Sequence, residues 1–173
     1  MTDVSELTRR LQYFESQHAV RTCMNRYMAL CDALDANTPL DELAGLFALN
    51  AIWEGKGAKY AKSFGGYRGR AAIREMFATY MKPPAHFALN VHFLTSELID
   101  VQGDEAHGSW VMLQTSTFAS GASHLNAARL TVKFVVEEGQ WRVAHFQTEN
   151  LFGRPVNTWN SEAPLPVPPA ESE

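Results

Sequence analysis

The chain has 173 residues, 46% of them hydrophobic, and a formal net charge of −4, which predicts one domain with a substantial core. No basic run stands out, which argues against a nucleic-acid partner, and no apolar stretch reaches the roughly twenty residues of a membrane span. The opening Met1-Thr2-Asp3-Val4-Ser5-Glu6 lacks the basic and apolar regions of a secretory leader, so a cytoplasmic location is expected.

Ser5 to Asp35 contains neither Pro nor Gly. Leu7, Leu11 and Phe14 recur at helical spacing, followed by Val20, Cys23, Met24, Tyr27, Leu30, Cys31 and Leu34, and predict one long helix. Its first part, with Arg9, Arg10, Glu15 and Gln17, is half-solvated and suited to packing on the domain or on another subunit. Cys23 and Cys31 are the only cysteines. On one helix they stand about 12 Å apart along the axis, whereas a disulfide needs Cα atoms within about 7 Å. Buried free thiols are expected.

Asn37-Thr38-Pro39 breaks the helix. Thr38 as N-cap and Pro39 as first helical residue predict a short helix over Leu40 to Ala48, and Asp41 and Glu42 suit its N-terminus. Ala51-Ile52-Trp53-Glu54 reads as a short strand. Gly55 to Gly66 reads as a loop long enough to be a lid over a pocket. Tyr67-Arg68-Gly69-Arg70-Ala71-Ala72-Ile73 leads into a third helix, with Ile73, Phe77 and Tyr80 on one stripe, and Pro83-Pro84 ends it.

From His86 onward the pattern is β. Turn signals at Val101-Gln102-Gly103-Asp104, Ala119-Ser120-Gly121-Ala122 and Glu137-Glu138-Gly139-Gln140 separate segments rich in Val, Thr, Phe and Trp. That spacing predicts an antiparallel meander of long strands. Strands well beyond the usual five or six residues curl, and a curled sheet encloses a hollow suited to a small molecule. Helices grouped before an antiparallel sheet give an α+β class. Residues 1–152 form the expected single domain, and 153–173, Pro-rich toward its end, an extended C-terminal tail.

Four phrases, spanning about residues 18 to 150, together resemble the nuclear transport factor 2-like superfamily, especially its SnoaL-like branch. They are Arg26-Tyr27-Met28-Ala29-Leu30-Cys31-Asp32 with Asp35 following, Tyr67-Arg68-Gly69-Arg70-Ala71-Ala72-Ile73, His86-Phe87-Ala88-Leu89-Asn90, and Glu138-Gly139-Gln140-Trp141-Arg142-Val143. The resemblance implies a cone-shaped, cystatin-like fold, a bent antiparallel sheet wrapped around helices with an apolar pocket at the open end. It implies enzymes of the scytalone dehydratase and bile-acid 7α-dehydratase type, working by acid/base chemistry without a cofactor, although some members of this fold only bind ligands or partners. Family members commonly pair through the outer sheet face or form trimers, so a homo-oligomer is expected.

The resemblance points to Asp32 and His86 as the acid/base pair, a helical carboxylate holding an imidazole at the start of the first long strand. The motif favours Asp32, while helical angles bring Asp35 nearer the centre of the apolar stripe; the motif decides for Asp32. Tyr27 is the expected donor to a carbonyl or a developing oxyanion. Asn90 and His92 share the strand parity of His86, so all three should face one side. Arg129 matches a family position that binds a carboxylate or orients a carbonyl. Trp53, Tyr67 and Trp110, with Phe64, Phe118 and Phe134, are expected as wall and core around a flat substrate. Metal binding is disfavoured, since His86 and His92 lie about 20 Å apart along one strand and neither HExxH nor paired cysteines occur.

The expected activity is a cofactor-independent lyase, eliminating water or releasing formaldehyde from a small hydrophobic, aromatic or polycyclic hydroxylated substrate. An isomerase or cyclase of the same fold is the alternative, and a non-catalytic binding protein the contrasting one.

Overall fold

Helix α1 (Val4–Asp32) begins at Asp3, whose carboxylate accepts the Ser5 backbone N–H. The computed structural model describes residues 3–157 and 159. The first half of α1 stands clear of the body, with Leu7, Leu11 and Phe14 exposed, while Val20, Cys23, Met24, Tyr27, Met28, Leu30 and Cys31 are buried. The helix stops three residues short of the expected Asp35. Thr38 does not cap the next helix; its hydroxyl donates back to the Ala33 carbonyl at 2.5 Å and accepts the Asp35 N–H at 2.9 Å.

Helix α2 (Leu40–Gly45) is also shorter than the sequence suggests. At Leu46 the backbone is already in the sheet, its carbonyl accepting the Val143 N–H at 2.8 Å. Strand β1 (Phe47–Lys56) therefore absorbs the expected end of the helix. The segment expected to be a lid loop folds as helix α3 (Gly57–Ser63), followed by the short strand β2 (Gly66–Arg68). Gly55 makes this turn possible, because a methyl there would lie 2.8 Å from Tyr60 Cβ. Helix α4 (Arg70–Tyr80) buries Ile73, Met76 and Phe77.

The meander consists of β3 (Phe87–Gln102), β4 (Glu105–Phe118), β5 (Ser123–Glu137) and β6 (Gln140–Val156). Gly103, Gly121 and Gly139 take positive φ at its three turns. The sheet is open, in the order β2-β1-β6-β5-β4-β3, and antiparallel except where β1 runs parallel to β6. Register shifts at Thr95/Leu98 in β3 and Ala127/Ala128 in β5 bend the long strands. The bend in β3 turns Glu97 toward α1, where its carboxylate meets Arg21 at 2.6 Å. Phe47, Leu43, Ile73, Met24, Val20, Leu130, Val132, Phe134 and Val143 are fully buried between the inner sheet face and the helices. This is an α+β fold, a curved sheet wrapped around helices.

The boundary drawn at residue 152 falls inside β6, whose Gly153, Arg154, Pro155 and Val156 pair with Asn126, Leu125, His124 and Ser123. Beyond it, Trp159 Nε1 donates to the Ser116 carbonyl at 3.2 Å; the rest of the expected tail, residue 158 and residues 160–173, lies outside the described residues. Cys23 and Cys31 are buried and unbridged. Among the described residues no helix is long and apolar enough to cross a membrane.

Candidate active site

The hollow of the sheet holds a cavity of about 340 Å³, at the small end of the range usual for ligand sites. The strands supply it by alternation: Asn90 and His92 from β3; Met112, Gln114, Ser116 and Phe118 from β4; His124, Asn126 and Leu130 from β5; Phe146 and Thr148 from β6. Helix α1 contributes Tyr27, Met28 and Cys31, and α4 contributes Met76, Phe77 and Tyr80. Trp53 forms one wall, stacked on Phe146 with ring centroids 5.8 Å apart and planes within 6°.

At the end of α1 one carboxylate and one imidazole meet. Asp32 Oδ1 accepts the backbone N–H of His92 at 2.9 Å and lies 2.6 Å from its Nδ1. With Nδ1–H donating to Asp32, Nε2 of the neutral ring carries the lone pair. His92 lines the cavity and its side chain is only 10% exposed. Asp32 stands behind it, outside the lining. Asn90 holds the strand against the helix end: its Nδ2 donates to the Cys31 carbonyl at 3.1 Å, and its Oδ1 accepts from Gln114 and Ser116, each at 2.8 Å.

The expected contact between Asp32 and His86 is not made. His86 precedes β3 near the β4–β5 turn, where its carbonyl accepts the Ala119 N–H and its ring packs edge-on against Tyr80, Phe87 and Phe118. It does line the cavity, but six residues of extended chain, about 20 Å, separate it from the strand position beside the helix end. Asp35 caps the turn after α1, accepting the Asn37 N–H at 2.7 Å.

Tyr27 is buried in the lining, and its hydroxyl accepts the Trp53 indole N–H at 3.1 Å. Burial pushes its ionisation well above the ordinary phenol range, so the group stays a proton donor. Burial likewise raises the Cys31 thiol to about 12, keeping it neutral. Among the described residues no three His, Cys, Asp or Glu side chains gather as a metal-binding cluster.

Three expected substrate contacts lie elsewhere. Trp110 belongs to the core deeper along β4, its Nε1 donating to Glu97 at 3.2 Å and its ring edge-on to Phe134. Arg129 is exposed on the outer sheet face, because its neighbours Ala128 and Leu130 take the inward positions. Tyr67 backs Trp53 from β2, with ring centroids 6.2 Å apart, and does not reach the lining. A second imidazole–carboxylate pair, His145 Nε2 with Glu54 at 2.9 Å, lies on the opposite face of β1 and β6 from Trp53 and Phe146, away from the cavity.

Lys59 and Tyr60 on α3, and Gln114, Ser116, His124 and Asn126 on the strands, also line the cavity, and none was singled out by sequence as a cavity contact. The strand residues carried a usable signal, since they share the parity of the inward positions. The α3 residues carried none while their segment read as a loop.

The profile described as SnoaL-like domain matches residues 12–147. No curated protein matches the chain. Among solved structures, a type 2 hexachlorocyclohexane dehydrochlorinase superposes with a TM-score of 0.71 at 18% identity, covering 91% of this chain and 99% of its own. A scytalone dehydratase-like protein from Novosphingobium aromaticivorans gives 0.68 at 19% identity, over 91% and 97% of the two chains. An NTF2-like protein of cystatin-like fold from the same species gives 0.67 at 23% identity, over 87% and 92%.

Proposed function

The chain belongs to the SnoaL-like domain family, and on that premise we propose that it is a cofactor-independent lyase acting on a small, largely apolar, hydroxylated aromatic substrate. One observation carries the reading: an imidazole facing a mostly apolar cavity, with its far nitrogen held by a carboxylate. Asp32 fixes the tautomer and stabilises the imidazolium that forms, so His92 Nε2 is the base. It takes a proton from the substrate carbon next to the one bearing oxygen. The C–H electron pair becomes the new double bond, and the C–O bond breaks. The imidazolium gives its proton to the leaving oxygen, which departs as water and restores the neutral ring. Tyr27, kept protonated by burial, hydrogen-bonds the oxygen that gains charge. In a retro-aldol variant the same base removes the proton of a hydroxymethyl group, its oxygen becomes the carbonyl oxygen of formaldehyde, and the C–C bond breaks. That electron pair passes into a conjugated carbonyl of the substrate, whose oxygen Tyr27 hydrogen-bonds. Trp53 and Phe146 provide a flat apolar wall for the ring.

The dehydrochlorinase named among the structural neighbours supports elimination as the reaction type. The test is a panel of hydroxylated aromatics followed by the ultraviolet absorbance of the new conjugated double bond, with released formaldehyde assayed in parallel. Turnover by the native protein that falls by at least a hundredfold in His92→Asn supports the assignment, within the range expected for a positioned base. Turnover equal in both proteins refutes it.

A further inference from the structure

We infer that the cavity takes an anionic substrate, an aromatic body whose carboxylate docks on Lys59 and His124 while its ring lies against Trp53. The inference deepens the proposed lyase reading and rests on it for the position of the reacting carbon. Among the described residues, no Asp or Glu lines the cavity; its ionisable nitrogen groups are Lys59, His86, His92 and His124. Lys59 is exposed and forms no ion pair among the described residues. An ammonium beside a hollow with low-dielectric walls and no counter-charge draws anions toward it.

The groups converge on one point. A methyl built on Gly153 would lie 3.0 Å from His124 Cε1, 3.1 Å from Asn126 Oδ1 and 3.2 Å from Lys59 Nζ. A side chain at position 153 would push all three back by a few tenths of an ångström, so glycine keeps them close together there. Asn126 Oδ1 would repel a carboxylate if left bare, but Tyr60 and Asn150 already donate to it, at 3.0 and 2.8 Å. The end of the site that attracts an anion is therefore the Lys59 ammonium, with the His124 ring beside it. His92 lies on β3, two strands from His124 and with β4 between them. An anchored carboxylate holds the ring across the cavity and leaves its far side to the His92 imidazole.

Calorimetric titration of the full chain at low salt with 2-naphthoate and with the isosteric, uncharged 2-naphthamide reads the preference directly. The expected result is at least tenfold tighter binding of the carboxylate, reduced to within twofold in Lys59→Met, whose exposed position makes the change tolerable. Equal affinities in the native protein overturn the inference. So does a preference that survives Lys59→Met combined with His124→Asn, or saturable binding of neither compound. His92→Asn separates the two readings, because it should abolish turnover and keep the preference. A preference found without lyase turnover on any substrate refutes the proposed function alone; turnover confined to neutral substrates, with no preference for naphthoate, refutes the docking alone.

Discussion

Asp32 Oδ1 accepts two hydrogen bonds from a single residue, the backbone N–H and the ring Nδ1–H of His92. One carboxylate oxygen thereby fixes both where strand β3 passes the end of α1 and how the imidazole is turned. A ring anchored at Nδ1 in this way is pre-organised as a base through Nε2. Removing either partner should damage chemistry more than folding, because Asp32 is about a third exposed and water can replace it.

His92→Asn and Asp32→Asn should therefore lower turnover by a hundredfold or more and about tenfold or more respectively, the usual scale for a positioned base and its orienting group. His86→Phe should leave turnover within a few-fold, since that ring packs against Tyr80, Phe87 and Phe118 at the cavity wall and pairs with no carboxylate among the described residues. Steady-state kinetics on the three variants checks this ordering. A His86 variant as impaired as His92→Asn would reverse the assignment.

Asn90→Ala should destabilise the fold and loosen the site together. It leaves the Cys31 carbonyl, the Gln114 amide and the Ser116 hydroxyl without their buried partner, a loss of about 1–3 kcal/mol for such a group. Thermal denaturation should show a fall of several degrees. The kinetics should show a lower kcat, because the strand carrying His92 is no longer tied to the helix end.

The two thiols give stability a defined alkaline limit. Burial raises Cys23 to about 11 and Cys31 to about 12, against 9.0 for an exposed thiol. Both fold as neutral groups, so their contribution is complete below about pH 9 and is lost as the unfolded chain alone begins to ionise above it. Urea midpoints should decline from about pH 9 upward, and the double Cys→Ala variant should flatten that decline. Thiol reagents at neutral pH should leave Cys23, which is buried away from the cavity, unlabelled until the protein unfolds.

Gly108→Ala should overpack the closed end of the sheet. A methyl there would sit 2.3 and 2.4 Å from atoms of the Trp110 ring, and the indole is held in place by Glu97 and Phe134. The expected cost is about 1–3 kcal/mol, read as a lowered denaturation midpoint. Binding in the cavity should be unaffected, since Trp110 does not line it.

Local features of the sequence carried the architecture. Gly103, Gly121 and Gly139 marked the three turns, and apolar spacing marked α1 and α4. Strand parity placed Asn90 and His92 on one face together, which is how both come to line the cavity. Parity does not encode depth, however. Which inward position of a 16-residue strand lies beside Asp32 depends on where α1 stops and how β3 bends at Thr95/Leu98, and both are tertiary outcomes. The same limit explains Trp110, inward but too deep, and Tyr67, one strand beyond the wall. Arg129 was proposed from the family position against the local pattern, in which Ala128, Leu130, Val132 and Phe134 alternate inward with Arg129, Thr131 and Lys133 outward. Helix α3 was hidden by the glycines at its borders, which read as a loop when only one of them, Gly55, is demanded by close packing.

The most direct measurement is the nitrogen-15 spectrum of the His92 ring at a pH where the imidazole is neutral. The structure requires the Nδ1–H tautomer, with an unprotonated Nε2, and loss of that preference in Asp32→Asn. An Nε2–H tautomer in the native protein, or a spectrum indifferent to Asp32, would contradict the claim that the carboxylate readies this imidazole as the base.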